Sequence, residues 1–385
     1  MLQGLTVNYF NKKHARIAVS ALFFLTGFCF GSWASRIAAI QETLHLSEGV
    51  LGAMLLAPPI GSLLSMPVAG MLVSKYGSRT VVMIAGILYV CVLPVLGLTG
   101  NAWQLFSCLL VFGFFGNLAN IAVNTQAVLV EAMYQTPIMA SFHGLWSLGG
   151  FAAGAIGGQM SRAGIVPYQH FLCITAIGIL IVCVAIRFVV AHDAPASGEK
   201  VPMFVWPDKA LMILGVIAFC SMICEGAMFD WSAVYFKKVI GAPLETAGNG
   251  LTAFMTTMAA FRFVADWLMP RLGFKRMLQL SGTLTALGLS VAVLFPGFNT
   301  GMIGFLLVGA GVSSVVPLVY SAAGRSKTLS PGMALAAVST IGYLGFLAGP
   351  PLIGLVAQAT SLRISFFIIA LMGTCIAVMS TRVKE

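Results

Sequence analysis

Read by polarity, the chain alternates twelve long apolar runs with short polar gaps. Crossing the hydrocarbon of a bilayer as a helix takes about 20 apolar residues. Runs of that order fall near 15–37, 49–70, 80–99, 103–125, 138–160, 167–190, 210–233, 246–267, 276–295, 300–322, 333–356 and 361–381. They are continuous, without the alternation of barrel strands, so the pattern predicts helices. The expected fold is an all-α membrane protein of twelve transmembrane helices. The longest polar gap, 191–209, is rich in Pro, Ser, Gly and charge. It reads as a cytoplasmic linker between two six-helix bundles, 1–190 and 210–385.

Composition agrees with a lipid environment. Hydrophobic residues fill 59 % of the 385 positions and charged ones 8 %, against about 25 % charged in soluble domains. A soluble protein could not cover itself with so few polar groups. The net charge of +10 would fit nucleic acid only if it formed a stripe or patch, whereas these cations sit in the gaps between spans, as topology signals. With a cytoplasmic start and an even number of spans, the cytoplasmic segments hold fifteen Lys and Arg and the opposite side five, with Arg262 inside a span. This predicts a multi-pass protein with both termini cytoplasmic. The basic start (Lys12, Lys13, Arg16) has no small-residue cleavage site after its apolar run, so it reads as a first span rather than a signal peptide. All eight cysteines lie in apolar runs; Cys220 and Cys224, one turn apart, have no nearby His or second Cys pair and read as packing.

An internal repeat divides the chain as the linker does. "GMLVSKYGSR" at 70–79 is echoed by "DWLMPRLGFK" at 266–275, an offset of 196, and Trp33 and Trp231 lie 198 apart in "GSWAS" and "FDWSA". Gly70-x3-Ser74-Lys75-x-Gly77-x-Arg79 resembles the signature loop of the major facilitator superfamily between spans two and three, with Ser74 where the family usually has Asp. Its second copy, Asp266-x4-Arg271-x-Gly273-x-Lys275, is preceded by Arg262, as is common in that superfamily. Spans five ("FHGLWSLGGFAAGAIGG") and eleven ("STIGYLGFLAGPPLIG"), with "SWASRI" and "EGAMFDWSA", resemble a bacterial branch typified by the YbjJ and MosC transporters, itself similar to fucose-permease-like sugar carriers. The resemblance implies two pseudo-symmetric six-helix bundles in a cell inner membrane, with the solute site between them near the midplane. A shared branch does not fix a substrate.

The residues that could carry transport are few. Glu225 is the acid most clearly inside an apolar run, and intramembrane acids are functional candidates by default, proton relays among them. It is the candidate coupling site; the plain alternative is a structural acid held by Trp or Ser partners. Asn117, Asn120 and Asn124 share a face of span four, where amides either glue helices or bind a polar solute. The branch often carries acids near positions 120 and 126, so the amides Asn120 and Gln126 here add weight to Glu225. Trp33, Trp231 and His143 are further solute candidates, the tryptophans alternatively being interfacial anchors and His143 a packed or gate residue. Gate candidates are an Arg36–Asp230 bridge between spans one and seven, Lys75 and Arg79 with Glu131 as partner, and Arg262 with Asp266 one turn apart. Each has a plain alternative, namely solvated charges or a pair internal to one helix. The glycine rows of spans five and eleven, and Pro350-Pro351, read as packing and hinge devices.

The function expected is secondary active transport of a small polar, sugar-like solute by alternating access, with proton coupling. The rivals are an efflux carrier for apolar or cationic compounds and a membrane receptor or scaffold. No nucleophile–base set, metal cluster or phosphate loop appears in any aqueous segment, so no enzyme, metal or cofactor is expected. The partners expected are a small solute, the bilayer and protons, for a monomer that binds no nucleic acid.

Overall fold

The computed structural model describes residues 9–134, 138–191, 208–323, 326 and 331–383. They form fifteen helices: α1 (Tyr9–Thr43), α2 (Glu48–Met54), α3 (Ala57–Tyr76), α4 (Ser78–Gly97), α5 (Ala102–Tyr134), α6 (Met139–Arg162), α7 (Pro167–Ala185), α8 (Lys209–Lys238), α9 (Leu244–Ala247), α10 (Asn249–Leu272), α11 (Phe274–Leu294), α12 (Phe298–Val312), α13 (Val315–Ala323), α14 (Pro331–Ala359) and α15 (Leu362–Ser380). No strand occurs among the described residues.

Fourteen of these helices make twelve spans. α2 runs on into α3, and α12 into α13, each pair making one apolar segment of 26 residues. α9 is a single turn before α10. Ten spans are long and apolar enough to cross a bilayer by composition alone. The other two, α6 and α10, are 24 residues each, about 36 Å at 1.5 Å per residue, which exceeds a hydrocarbon core of about 30 Å. They fall short in hydropathy because α6 carries His143 and Gln159 and α10 carries Arg262 and Asp266. Several helices outrun their apolar windows. α1 covers 35 residues where hydropathy marks 15–37, since Lys, Gln and Glu beyond the hydrocarbon remain good helix formers.

Both signature loops turn on a glycine. Gly77, between α3 and α4, has φ 78° and ψ 150°, and Gly273, between α10 and α11, has φ 78° and ψ 163°. A side chain is rarely tolerated at that φ, which explains why glycine recurs there at the repeat offset.

The chain divides into two compact units. The first comprises Met1–Ser32, Ala57–Ala153 and Val166–Ser197. Within it, Gly61 lies against the Leu110 carbonyl and Gly113 against the Pro58 backbone, so α3 and α5 meet backbone to backbone. Gly27 and Gly31 of α1 meet Trp146 and Gly150 of α6 in the same way. Close approach through small residues is how membrane helices gain packing energy, lipid being as apolar as their side chains.

The second unit comprises Trp33–Leu56, Gly154–Ile165 and Gly198–Glu385. Its core gathers Leu214 and Ile217 of α8, Leu278 of α11, Val315 of α13, Val338 of α14 and Ile376 of α15. Gly282 and Gly373 seat α11 against α15, and Gly345 seats α14 against α8. The Thr43 end of α1, all of α2 and the Arg162 end of α6 also belong to this unit, so the units do not follow the sequence halves. The segment 191–209, read as a linker, lies outside the described residues from 192 to 207.

Candidate functional site

Midway along α8 and α10, two charges face each other. An Arg262 guanidinium nitrogen stands 3.8 Å from Glu225 Oε1, with side chains 20 % and 12 % exposed. Glu225 is thirteen residues from the Lys238 end of α8, and Arg262 is thirteen from the Asn249 end of α10. That is about 20 Å along each helix, so the pair lies deep in both spans. α8 owes its central position to an almost unbroken apolar surface. With α1 it is the most enclosed of the ten spans that are apolar enough by composition, 72 % of its apolar window buried against 39–61 % in the other eight.

Arg262 thus reaches a neighbouring helix. The side chain of Asp266, expected to pair with it one turn away, lies outside the described residues. Two residues that no sequence pattern singles out, Tyr320 and Ser221, lie beside this pair. Tyr320 of α13 shares a side-chain hydrogen bond with Ser339 of α14 and lies in electrostatic reach of Glu225. A single Tyr or Ser in an apolar run is common, so only proximity to Glu225 distinguishes these two. Ser221, one turn before Glu225, is fully buried, and its hydroxyl lacks a hydrogen-bond partner among the described residues.

The amides of α5 separate into three jobs. Asn117 donates to the Ser62 carbonyl at 3.0 Å and to Ser65 Oγ at 2.7 Å, tying α5 to α3. Asn124 donates to the Asn120 carbonyl at 2.8 Å and to its Oδ1 at 3.0 Å, one turn back, while Asn120 is exposed. Gln126, fully buried, donates to Ser78 Oγ at 2.7 Å and the Val190 carbonyl at 2.9 Å, and accepts from the Val190 amide at 2.8 Å. It clamps the start of α4 to the segment after α7. Asn117 and Gln126 are therefore glue, and Asn120 with Asn124 remains presented on the same unit. His143 of α6 is exposed, its ring edge-on to Phe23 at 5.2 Å.

The expected gate partners are rearranged. Arg36 is 3 % exposed and donates to the Ile165 carbonyl at 3.0 Å. Among the described residues it forms no ion pair with Asp230; its donor fork reaches that carbonyl, just beyond the end of α6. The ion pairs at that end are instead Lys238–Glu48 at 2.6 Å and Lys237–Glu42 at 3.6 Å. Both lysines sit at the C-terminus of α8, and Glu48 is the first residue of α2, so each of these three charges suits its helix dipole. Beside them Gly52 of α2 meets Pro350 and Gly354 of α14. The prolines thus lie where α14 is closely packed, inside a continuous helix.

Glu131 does not bind Lys75 or Arg79. Its Oε2 accepts from the Ile138 and Met139 amides, both at 2.8 Å, at the N-terminus of α6. A carboxylate is disfavoured at the end of its own helix, and the donors at the start of the next one relieve it without any cation. Lys75 lies over the Tyr76 ring at 5.1 Å. Trp33 and Trp231 are 1 % and 0 % exposed; neither meets lipid headgroups, since packing between helices encloses both.

The chain has clear relatives. A model of the Major Facilitator Superfamily matches residues 19–250 and 211–384. An uncharacterized MFS-type transporter of Yersinia pestis is 32 % identical over 371 residues, 96 % of each chain. The membrane protein MosC of Rhizobium meliloti is 30 % identical over 375 residues, 96 % of this chain and 90 % of that one. Two solved structures share the fold. The nucleoside transporter NupG matches with a TM-score of 0.74 at 14 % identity, over 96 % of this chain and 98 % of that one. A D-xylose-proton symporter matches with a TM-score of 0.75 at 16 % identity, over the same shares. The fold is that of twelve transmembrane helices in two halves, and its relatives are carriers rather than enzymes. This chain is a multi-pass membrane transporter and belongs to the major facilitator superfamily.

Proposed function

We propose that this transporter is a secondary carrier of a small polar, sugar-like solute, coupled to protons through Glu225. It works as a monomer in the cell inner membrane, with both termini cytoplasmic, and its two bundles are 1–190 and 210–385. The observation that carries this reading is the Glu225–Arg262 pair deep in α8 and α10. A charge at that depth is retained only where it is paired or faces a water-filled path. A proton arriving at Glu225 cancels one partner and leaves Arg262 seeking an acceptor, which solute oxygens can supply. Proton and solute are then bound together more favourably than either alone, the differential affinity that coupling requires.

The solute class rests on the side chains presented by the first unit. Asn120 and Asn124 offer both donors and acceptors, and His143 is exposed. Such groups suit hydroxyls and carbonyls and disfavour an apolar cation. The D-xylose-proton symporter and the nucleoside transporter of the same fold carry solutes compatible with that chemistry, although the likeness itself concerns the fold alone.

Two measurements test the reading. Purified protein is screened by thermal shift against sugars, polyols, amino acids and cationic drugs, since a bound solute stabilises the folded form. The best stabiliser is then followed into proteoliposomes with and without an imposed pH gradient. Stabilisation by a hydroxylated solute and its gradient-driven accumulation are expected. Stabilisation by apolar cations alone, or uptake indifferent to the gradient, would overturn the proposal.

A further inference from the structure

The first unit is strongly unbalanced in charge. Its described residues include six Lys and Arg, namely Lys12, Lys13, Arg16, Lys75, Arg79 and Arg187, and a single carboxylate, Glu131. That carboxylate is held by two backbone amides of α6. None of the six cations has an ion pair among the described residues. Lys12 and Arg16 lie over the Tyr134 ring, at 4.1 and 5.1 Å. Lys13 and Arg187 are exposed and engage neither a ring nor a carboxylate there.

Each of these two cations is next in sequence to a residue that lines a groove. His14, next to Lys13, stacks on Phe188, next to Arg187, with ring centroids 5.5 Å apart and planes 23° from parallel. The stack joins the start of α1 to the chain just after α7. From it a cleft of about 300 Å³ runs along both helices, floored by Ala18 and Ala21 and walled by Ile17, Leu180 and Val184. Ile17 and Leu180 are 66 % and 65 % exposed. From His14 to Ala21 the cleft follows about 10 Å of α1.

We propose that this groove binds one anionic phospholipid, with an acyl chain along Ala18 and Ala21 and the phosphate between Lys13 and Arg187. The apolar cleft has no use for a free anion, and the cations have no use for a hydrocarbon chain; a phospholipid satisfies both. Each Lys or Arg near an anionic headgroup contributes about 1 kcal/mol, so two such contacts correspond to a preference of about 10- to 30-fold over a zwitterionic lipid with the same chains. The site is independent of the proposed coupling chemistry, and a loaded groove anchors α1 against α7.

Native mass spectrometry of the full chain in detergent tests this, titrating phosphatidylglycerol against phosphatidylcholine of matched chains and following the first bound lipid. The parent should prefer phosphatidylglycerol about 10- to 30-fold. Lys13→Gln with Arg187→Gln should reduce that preference to about 2-fold or less, while Ala21→Phe, which fills the groove and keeps both charges, should weaken both lipids. Equal binding of the two lipids by the parent would overturn the proposal without any variant. So would a preference that survives the double substitution, or glycerol 1-phosphate displacing the lipid at equal concentration, which would mark a headgroup site with no part for the groove.

Discussion

Replacing Glu225 with Gln keeps the shape of the side chain and removes its charge, and the structure sets the size of the effect. At 3.8 Å and an effective dielectric of about 20, the attraction to Arg262 is about 4 kcal/mol. Removing one partner of a buried pair costs about 3–5 kcal/mol, because the other charge is left uncompensated. Both side chains are slightly exposed, 12 % and 20 %, so screening lowers the expected loss to about 2–3 kcal/mol. Glu225→Gln should therefore lower the thermal midpoint clearly, and Arg262→Gln in the same chain should recover part of the loss. The cycle should yield a coupling energy of about 1–3 kcal/mol. Transport supplies the decisive readout. In proteoliposomes, accumulation driven by a pH gradient should fall to the equilibrium level, whereas counterflow exchange at equal pH should survive, because exchange needs no net proton movement. A Glu225→Gln protein that accumulates solute as the parent does would refute the coupling role, and additive effects with Arg262→Gln would refute the pair.

Three further outcomes are expected. Lys238→Glu should loosen the contact of α8 with α2 and speed labelling of Ser35→Cys, on α1 next to Arg36, in a background without native cysteines, by about 2- to 5-fold, the range for a partly exposed ion pair of 1 kcal/mol or less; adding Glu48→Lys should restore the slow rate, and failure to do so would show that the Lys238–Glu48 pair does not hold α8 to α2. Glu131→Ala should lower stability by about 1 kcal/mol in thermal denaturation, the usual worth of an N-terminal cap, and its effect should add to that of Lys75→Gln; coupling between the two would favour an ion pair instead of the cap. Reporter fusions after Arg79 should report the cytoplasm and fusions within 99–102 and 296–299 the outside, and the reverse pattern would invert the proposed orientation.

The number and type of spanning elements followed from the sequence, because hydropathy over 20 residues is a local property and a bilayer imposes one solution on it. The place of the signature loops was legible for a similar reason: a glycine at positive φ is required at Gly77 and again at Gly273 whatever packs around them. Partners were not legible. Arg262 reaches Glu225, a carboxylate on another helix that only the tertiary arrangement brings within 3.8 Å. Arg36 and Asp230 sit at corresponding depths of repeat-related spans, but a rotation of α1 about its axis decides which acceptor the guanidinium meets, and it meets the Ile165 carbonyl. The amides at 117, 120 and 124 share a face by periodicity, but their surroundings differ along it, so Asn117 binds α3 while Asn120 stays exposed. Spacing along a helix determines which side chains point the same way. What they point at depends on residues distant in the chain, 55 positions away for Asn117 and 129 for Arg36, and those only the folded structure decides.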